Sequence, residues 1–414
     1  MNFLNEVAQH YPDAISFAAG RPCEDFLDLA AVHRHLDLFA AHLREKFGGD
    51  EQRVRGTLLQ YGRTKGVIHE LVARHLESDE GILVDPEAVV VTVGCQEALF
   101  LTLRALRRDD RDVLLAVMPT YVGAAGAAHL ADMPVLPVAQ SDAGIDIDDL
   151  VAVARRAREQ GLRPRACYIV PDFGNPSGIS LDLDVRKRLL EAAYDIGLLL
   201  LEDNPYGLFD AGPAGNTPLP TLKSLDTGRG VVYLGSFAKT GNPGARVGYV
   251  VADQRVGTGA DGGTELLADR LGELKSMLTV NTSPIAQAVI GGKLLEYDGS
   301  LRTANERERA VYRRNLRLVL DGLARRFPAD RRPHVTWNRP SGGFFVVCAL
   351  PFVAGDDLLA VCAREYGVLW TPMHHFYAGD EARREIRLSV SHLTPAEIET
   401  GLDRLARFVA ERDT

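Results

Sequence analysis

The sequence predicts an α/β protein: a large domain whose mostly parallel sheet is flanked by helices, and a smaller α+β domain. Between residues 89 and 251, short apolar runs rich in β-branched residues alternate with amphipathic helical patterns, which is typical of parallel strands joined by crossover helices. After residue 264, long helical patterns come first and strands follow, as expected for an α+β domain. The length of 414 residues is sufficient for both.

The individual elements follow from these patterns in chain order. Strands of the large sheet are expected at 89–93, 113–117, 135–138, 167–170, 198–201, 231–234 and 247–251, and the helices between the early strands at 95–107, 121–131, 147–160 and 183–196. The last two strands are too close together for a crossover helix, so at least one of them should be antiparallel.

The later elements belong mainly to the smaller domain. Helical patterns cover 264–278, 284–297, 301–326, 356–366 and 395–411, strands are expected at 334–338, 343–349 and 385–390, and a flexible surface loop at 256–263. The predicted division is an N-terminal segment, 1–55, that packs on the small domain, a large domain, 56–290, and a small C-terminal domain, 291–414.

Composition excludes several classes of function. The 56 acidic against 47 basic residues give a formal net charge of −9, which argues against nucleic acid or an anionic membrane as the main partner. Five scattered cysteines without a C-x-x-C pair indicate a reducing compartment and no zinc site. We expect no signal peptide and no membrane span, and therefore a cytoplasmic protein without a resident metal.

One of only seven lysines lies among residues that suggest chemistry. The segment 236–239 (SFAK) follows the predicted strand 231–234, so Lys239 emerges at the carboxyl end of a strand, where open α/β sheets bind ligands. Arg246 follows seven residues later. A lysine amine for a Schiff base, with the Ser236 hydroxyl and a guanidinium to hold a phosphate, suits pyridoxal phosphate.

Two further strand ends carry groups that the same cofactor needs. Asp203 follows the strand 198–201, where its carboxylate can keep a pyridinium nitrogen protonated, and Tyr206 can donate to the phenolic oxygen of the ring. Asn175 follows the strand 167–170 and can bond the same oxygen. Each loop alone has an ordinary structural explanation, such as a surface lysine, an acidic turn or an Asn-Pro turn. Their coincidence favours a cofactor site.

Two more turns agree with this interpretation. Gly94, Cys95 and Gln96 lie between a strand and a helix, where free N–H groups and the helix dipole form an anion site. Tyr121 follows the next strand and could stack on a pyridine ring, although a core position is the alternative.

Taken in order, these motifs resemble those of the class I/II aminotransferases, which are fold-type-I pyridoxal phosphate-dependent enzymes. The resemblance extends from 17–22 (FAAGRP) to 386–389 (IRLS). It includes the motifs 60–62 (QYG), 94–96 (GCQ), 119–121 (PTY), 175–178 (NPSG), 203–206 (DNPY), 236–239 (SFAK) and 246–249 (RVGY).

The resemblance implies a role for each residue around the cofactor. Lys239 would form the Schiff base and then move the Cα proton, while Asp203 would pair with the pyridine nitrogen. Asn175 and Tyr206 would contact the phenolic oxygen, and Tyr121 would stack on the ring. The phosphate would be held by Gly94, Cys95, Gln96, Ser236 and Arg246.

It also implies how substrate and partner bind. Arg387 would clamp the substrate carboxylate in a bidentate pair, beside Asn175, and Gly20 would leave room for the substrate. Tyr61 would reach the phosphate of the neighbouring subunit, so a homodimer with shared active sites is expected. Domain 56–290 would then bind the cofactor.

Several residues depart from the family pattern. Cys95 could weaken one phosphate hydrogen bond, Gly174 opens space near the substrate, and Arg63 could meet an acidic substrate or lie on the surface. Four histidines lack ligand spacing, so surface or packing roles are expected for them: His33, His35, His374 and His375.

Four functions remain open at this stage. The first is transamination between an α-amino acid and a 2-oxo acid. The second uses the same cofactor for β- or γ-elimination or replacement, C–C bond formation, cyclisation or oxidation. The third, a serine acyltransferase with S-x-x-K and K-T-G motifs, is disfavoured because both motifs share Lys239 and no S-D-N is present. The fourth, a non-catalytic regulator, is disfavoured by intact Lys239, Asp203 and Arg387.

Overall fold

The computed structural model describes residues 10–212, 218–258, 262–330, 333–379 and 381–413. Its central feature is a seven-stranded sheet. The seven strands are β2 (Val89–Thr92), β3 (Asp112–Met118), β4 (Val135–Ala139), β5 (Arg163–Ile169), β6 (Leu199–Asp203), β7 (Val231–Ser236) and β8 (Gly248–Val251). Their order in the sheet is β2-β8-β7-β6-β5-β3-β4.

The sheet is mostly parallel, as the sequence predicts. Strand β8 is antiparallel to both of its neighbours, β2 and β7, while the other pairs are parallel. The expected antiparallel strand is therefore β8. Because β3, β5, β6 and β7 run in one direction, their carboxyl ends and the loops that follow them meet at one edge of the sheet.

Helices bury both faces of this sheet. On β6, Leu201 packs into a core with the helices Gly94–Leu106, Val122–Leu130 and Leu267–Leu278, whereas its neighbour Leu200 points to the opposite face. There it packs against Ile147–Glu159 and Leu183–Asp195. Opposite orientation of successive residues explains why the strand sequence is apolar throughout.

The small domain is built on a four-stranded antiparallel sheet in the order β11-β12-β15-β14. The helices Glu306–Arg326 and Pro395–Arg412 pack on it around a separate apolar core that includes Trp370 and Phe408. Its strands are β11 (Thr336–Trp337), β12 (Phe345–Ala349), β14 (Thr371–Pro372) and β15 (Glu385–Ser389).

The N-terminal segment is divided between the two domains. Strand β1 (Ile15–Ser16) pairs in parallel with β13 (Val368–Leu369) of the small domain. The helix Leu29–Lys46 instead lies against Pro284–Glu296 of the large domain, where a side chain at Gly292 would strike the carbonyl of His35. The expectation that all of 1–55 packs on the small domain is therefore wrong for this helix, because its apolar face completes the large core. The boundaries at 55 and 290 stay predictions.

Other differences concern short elements. The predicted loop 256–263 is partly a hairpin, because β9 (Arg255–Gly257) pairs with β10 (Thr264–Leu266), while residues 259–261 lie outside the described residues. The predicted helix 356–366 ends as an α-helix at Val361 and continues as a π-helical turn to Tyr366. Within the described ranges, no helix is both long and apolar enough to cross a membrane.

A buried ion pair fixes the helix that begins at Gly94. The Lys275 ammonium donates to Glu97 at 2.8 Å and to the hydroxyl of Thr279 at 2.9 Å, and neither charged side chain is more than 6% exposed. Glu97 also accepts from the backbone N–H of Val93 at 2.6 Å. The pair therefore holds the turn that precedes Gly94.

We predict that Lys275→Met destabilises the protein by about 3–5 kcal/mol, because the Glu97 carboxylate would stay buried without its cation. Urea unfolding measures the change. The control is Arg270→Met, which removes a solvent-exposed guanidinium that pairs with Glu265 and Glu273 and should cost less than about 1 kcal/mol. Equal losses in the two variants would contradict the prediction.

Candidate active site

A cavity of about 330 Å³ lies at the carboxyl edge of the large sheet, beside the small domain. Nearly all the predicted site residues line it. They are Gly20, Cys95, Gln96, Tyr121, Asn175, Asp203, Tyr206, Ser236, Lys239, Arg246 and Arg387. Loops distant in sequence meet here because parallel strands end at one edge.

Lys239 enters this cavity from the turn after β7. Its ammonium donates to the carbonyl of Gly20 at 2.7 Å and lies 6.0 Å from the centre of the Tyr206 ring. Burial in the cavity, helped by the positive charges of Arg387 and Arg246, lowers the pKa of Lys239 to about 8. The neutral amine, the form that attacks a carbonyl, is therefore accessible near neutral pH.

Asp203 ends β6 at the floor of the cavity and is only 4% exposed. The hydroxyl of Tyr168 donates to its Oδ2 atom at 2.6 Å, and the thiol of Cys95 lies 3.6 Å from Oδ1. Burial raises the pKa of Asp203 to about 6, while these two hydrogen bonds act in the opposite direction. Asp203 has no cation partner within the described part of the chain, and a buried carboxylate of this kind suits a protonated pyridine nitrogen.

The end of the cavity near Arg246 is suited to an anion. Arg246 adopts a left-handed backbone conformation, with φ +54°, directly before β8. A side chain at Gly94 would lie 2.5 Å from its guanidinium, and one at Gly248 would lie 2.5 Å from the backbone nitrogen of Cys95. Glycine at these two positions lets the helix start, strand and guanidinium approach closely, with Ser236 beside them.

Cys95 has a different environment from the one expected. Its side chain faces Asp203, and burial and that carboxylate together raise the pKa of the thiol. Its contribution to an anion site would therefore come from its backbone N–H. Gln96 donates to the carbonyl of Gly123 at 2.5 Å, which anchors the helix start beside Tyr121. Burial raises the pKa of Tyr121 to about 12, so this ring is a neutral phenol.

Arg387, on β15, is the small domain's charged contribution to the cavity. Its guanidinium donates to the Asn175 side chain at 2.5 Å, to the carbonyl of Ala18 at 2.7 Å and to the hydroxyl of Thr371 at 3.1 Å. No carboxylate of the described residues pairs with it, and its buried Nε atom has no hydrogen-bond partner among them. Burial lowers the pKa of Arg387 to about 10. A substrate carboxylate would supply the missing anion.

The structure gives a reason for glycine at position 20 that differs from the one expected from the sequence. A side chain here would lie 2.6 Å from the Phe345 ring, so the space beside Gly20 is already filled by an aromatic side chain. Its backbone carbonyl, rather than open space, faces Lys239. The glycine lets the N-terminal segment pass closely over the small domain.

Two predicted residues lie outside the cavity wall, and so does Arg63. Gly94 lies behind Arg246, as described above. Tyr61 is 81% exposed and is not among the residues that line the cavity. Arg63 pairs with Glu87 and His69 instead of facing the cavity.

Sequence reasoning missed several residues of this site. Tyr168 lies inside β5, where an apolar run gives no sign of a functional hydroxyl. His375 and Phe376 line the cavity from the short turn Met373–Phe376, and strand periodicity does not reveal such a turn. His35 is buried beside Glu296, in a packing role as expected.

The residues present fit pyridoxal phosphate. A buried carboxylate, a lysine with a lowered pKa and an anion site with a guanidinium lie in one cavity, which matches the pyridine nitrogen, the aldehyde and the phosphate. Arg387, which pairs with no carboxylate among the described residues, adds a binding site for a substrate carboxylate.

Comparison with known proteins agrees with this geometry. The family described as aminotransferase class I and II matches residues 33–405. The chain belongs to this family. It is 58% identical over 412 residues to an (S)-3,5-dihydroxyphenylglycine transaminase of Amycolatopsis orientalis, covering 100% of this chain and 91% of the relative. A 2-aminoadipate transaminase of Thermus thermophilus is 33% identical, covering 96% and 90%.

A solved structure places the whole chain in the same fold. The kynurenine aminotransferase of Pyrococcus horikoshii, determined in complex with PMP, superposes with a TM-score of 0.83 at 27% identity, covering 99% of this chain and 94% of that one. The fold is thus that of the fold-type-I aminotransferases. The protein is an aminotransferase, and its family implies pyridoxal phosphate as the cofactor.

The lowered pKa of Lys239 predicts a pH dependence for loading of the cofactor-free protein. Only the neutral amine reacts with an aldehyde, so the rate of loading should rise with pH up to about 8 and then level off. Cofactor absorption near ~420 nm, followed after mixing, measures this rate.

Two lysine variants control this measurement. Lys239→Ala should give no such absorption, whereas Lys187→Ala, which changes an exposed lysine, should match the wild type. A midpoint near the ordinary lysine value of about 10.4 would contradict the predicted role of burial.

Proposed function

We propose that this aminotransferase exchanges the amino group between a ring-hydroxylated arylglycine, of the 3,5-dihydroxyphenylglycine type, and a 2-oxo acid. The relative of that name is 58% identical along the whole chain, which supports the same substrate class. The observation that carries the proposal within the site is the buried Arg387 guanidinium, without a carboxylate partner among the described residues, in the same cavity as Lys239.

The cavity wall favours an aromatic over an acidic side chain. Three cationic side chains line it, Lys239, Arg246 and Arg387, and each is already matched to the cofactor or to the substrate's α-carboxylate. A second carboxylate on the substrate would need another cation, and Arg63 pairs with Glu87 outside the cavity. Apolar groups such as Leu99 and Phe376 complete a wall suited to a ring.

The proposed cofactor contacts follow the geometry of the cavity. Asp203, held by Tyr168, would bond the pyridine nitrogen, and Tyr121 would stack on the ring. Asn175 and Tyr206 would contact the phenolic oxygen, since the amide oxygen of Asn175 already accepts from Arg387 and its Nδ2 atom is the donor that remains. The phosphate would be held by Ser236, Arg246 and the backbone of Gly94, Cys95 and Gln96.

Proton transfer is assigned to Lys239. When bound, pyridoxal phosphate withdraws electrons from the substrate Cα and stores the amino group between the two half-reactions. The Nζ atom of Lys239, in the neutral form that the lowered pKa makes accessible, takes the proton from Cα and returns one on the way to product. Arg387 holds the substrate carboxylate and thereby fixes which Cα bond faces Lys239.

We also propose that the enzyme is a homodimer in the cytoplasm. An exposed apolar surface surrounds Tyr61, which would reach the partner's cofactor phosphate. A side chain at Gly62 would contact Pro284, so the turns near 61 and 280 are neighbours. The exposed side chains of this surface are Leu59, Tyr61, Met277, Leu278, Val280 and Ile285.

The cysteines support the proposed location in the cytoplasm. All five are free, and cysteines without a disulfide suit a reducing compartment.

The substrate proposal is tested by comparing amino donors with one 2-oxo acid acceptor. We expect kcat/KM for 3,5-dihydroxyphenylglycine to exceed that for aspartate or 2-aminoadipate by about 10-fold or more, because the cavity offers no spare cation. Mass spectrometry identifies the oxo-acid product. Lys239→Ala should give none, and Lys187→Ala serves as the active control. Faster turnover of an acidic donor would contradict the proposal.

The shared active site is tested by mixing two inactive variants. A Lys239→Ala chain keeps Tyr61, and a Tyr61→Ala chain keeps Lys239, so a mixed dimer would contain one complete site. After unfolding and refolding together, the mixture should recover about a quarter of wild-type activity, because half of the dimers are mixed and each has one complete site. Activity no higher than the sum of the separate variants would contradict a shared site.

A further inference from the structure

One polar side chain of the cavity wall has no role in the chemistry described so far. His375 lies in the turn Met373–Phe376 and is one of the residues that line the cavity. The backbone N–H of Thr120 donates to the carbonyl of Phe376 at 2.8 Å, which fixes this turn against the loop that carries Tyr121. The position of His375 relative to the reacting groups is therefore defined by both domains.

The imidazole of His375 contacts the carboxylate of Asp356. The Nε2 atom of His375 lies 2.8 Å from Oδ1 of Asp356, and the ring of His374 lies beside it, tilted by 37° with the centroids 4.1 Å apart. The carboxylate favours the tautomer in which Nε2 carries the proton, and Nδ1 is then an acceptor. An acceptor of this kind is the complement of a phenolic O–H group.

From its location, His375 would contact the side chain of the substrate rather than its carboxylate. The Arg387 guanidinium lies 4.3 Å from the centre of the Phe345 ring and 5.0 Å from that of Phe376. Because Phe376 borders the guanidinium and His375 precedes it in the turn, the turn Met373–Phe376 lies beside the position expected for the substrate carboxylate. Ala18 and Ala19 lie in the same cavity, and their small side chains leave room for a ring.

We propose that His375, positioned by Asp356, binds a ring hydroxyl of the substrate and selects hydroxylated over unsubstituted rings. This inference rests on the proposed arylglycine substrate, which it makes more specific. The contact is a hydrogen bond between a phenol and an imidazole polarised by a carboxylate. Asp356 acts as a positioning residue, because it contacts the imidazole and not the substrate.

The same three side chains could instead hold a metal ion. Ligand atoms of Asp356, His374 and His375 all lie within 4.8 Å of one another. Such a site would use both histidines equally, whereas recognition of a hydroxyl requires only His375, the one that lines the cavity. The two interpretations therefore predict different effects of changing His374.

The experiment measures a hydroxyl preference, defined as the ratio of kcat/KM for a hydroxylated donor to that for its unsubstituted analogue. Two pairs are used: 3,5-dihydroxyphenylglycine with phenylglycine, and tyrosine with phenylalanine. We expect His375→Phe to lower the ratio by about 10- to 100-fold, as for loss of a hydrogen bond to a polarised partner. His375→Gln, which retains a hydrogen-bonding group, should lower it less, and His374→Gln should leave it within about 2-fold.

Asp356 is tested by the same ratio. Asp356→Ala should lower the hydroxyl preference, and Asp356→Asn, which can still hold the imidazole, should restore part of it. A purely structural role would lower kcat/KM for both donors of a pair equally and leave the ratio unchanged.

Two outcomes would overturn the inference. An unchanged ratio in His375→Phe for both pairs is one. The other is a stoichiometric metal in the purified enzyme that is lost in both His374→Gln and His375→Phe. If the wild type acts on neither arylglycine but His375→Phe lowers the tyrosine ratio, the proposed substrate fails while hydroxyl selection by His375 stands.

Discussion

The active site depends on three charges that are taken out of water without being paired with one another. Asp203 contacts a tyrosine and a thiol, Lys239 contacts a carbonyl, and Arg387 contacts an amide, a carbonyl and a hydroxyl. Burial of such groups is unfavourable and is tolerated only where the surrounding fold holds them. The shifted pKa values of all three are the direct consequence.

The cost of this burial falls when ligands bind. A pyridinium beside Asp203, an aldehyde that consumes the charge of Lys239 and a carboxylate on Arg387 would each satisfy one of the three groups. The same electrostatic mismatch that destabilises the empty site therefore contributes to affinity for cofactor and substrate. It also explains why the supporting contacts come from neutral groups: a charged partner within the protein would remove the mismatch.

The N-terminal segment connects these charges across the two domains. The carbonyl of Ala18 accepts from Arg387, and the carbonyl of Gly20 accepts from Lys239, so one short stretch of backbone bridges β15 and the turn after β7. Phe17 extends this stretch into the small domain through backbone bonds to Leu369 and Ser389. When a substrate carboxylate reaches Arg387 and an aldehyde consumes the charge of Lys239, these carbonyl contacts are the ones that would change.

The large sheet and its edge could be predicted from sequence because the signals are local. Each strand is a run of apolar residues, and a chemical group follows it within a few positions, as Lys239 follows β7 and Asp203 ends β6. Prediction failed where position depends on distant contacts. The helix Leu29–Lys46 packs on the large domain because Phe39 completes a core formed by residues far along the chain. Tyr168 and Asp356 gain their roles from side chains 35 and 19 positions away.

The residue that binds the substrate carboxylate and the residue proposed to select the substrate ring are held in place by different kinds of contact. Arg387 holds the structure together through its side chain, since its bonds to Asn175 and Ala18 join elements of both domains. The turn that carries His375 is fixed by a backbone bond between Thr120 and Phe376, which does not depend on which side chain occupies position 375. Exchange of the imidazole therefore leaves this backbone bond in place, whereas exchange of the guanidinium removes its contacts with both Asn175 and Ala18. Substrate choice is accordingly carried by a residue whose side chain the architecture does not need.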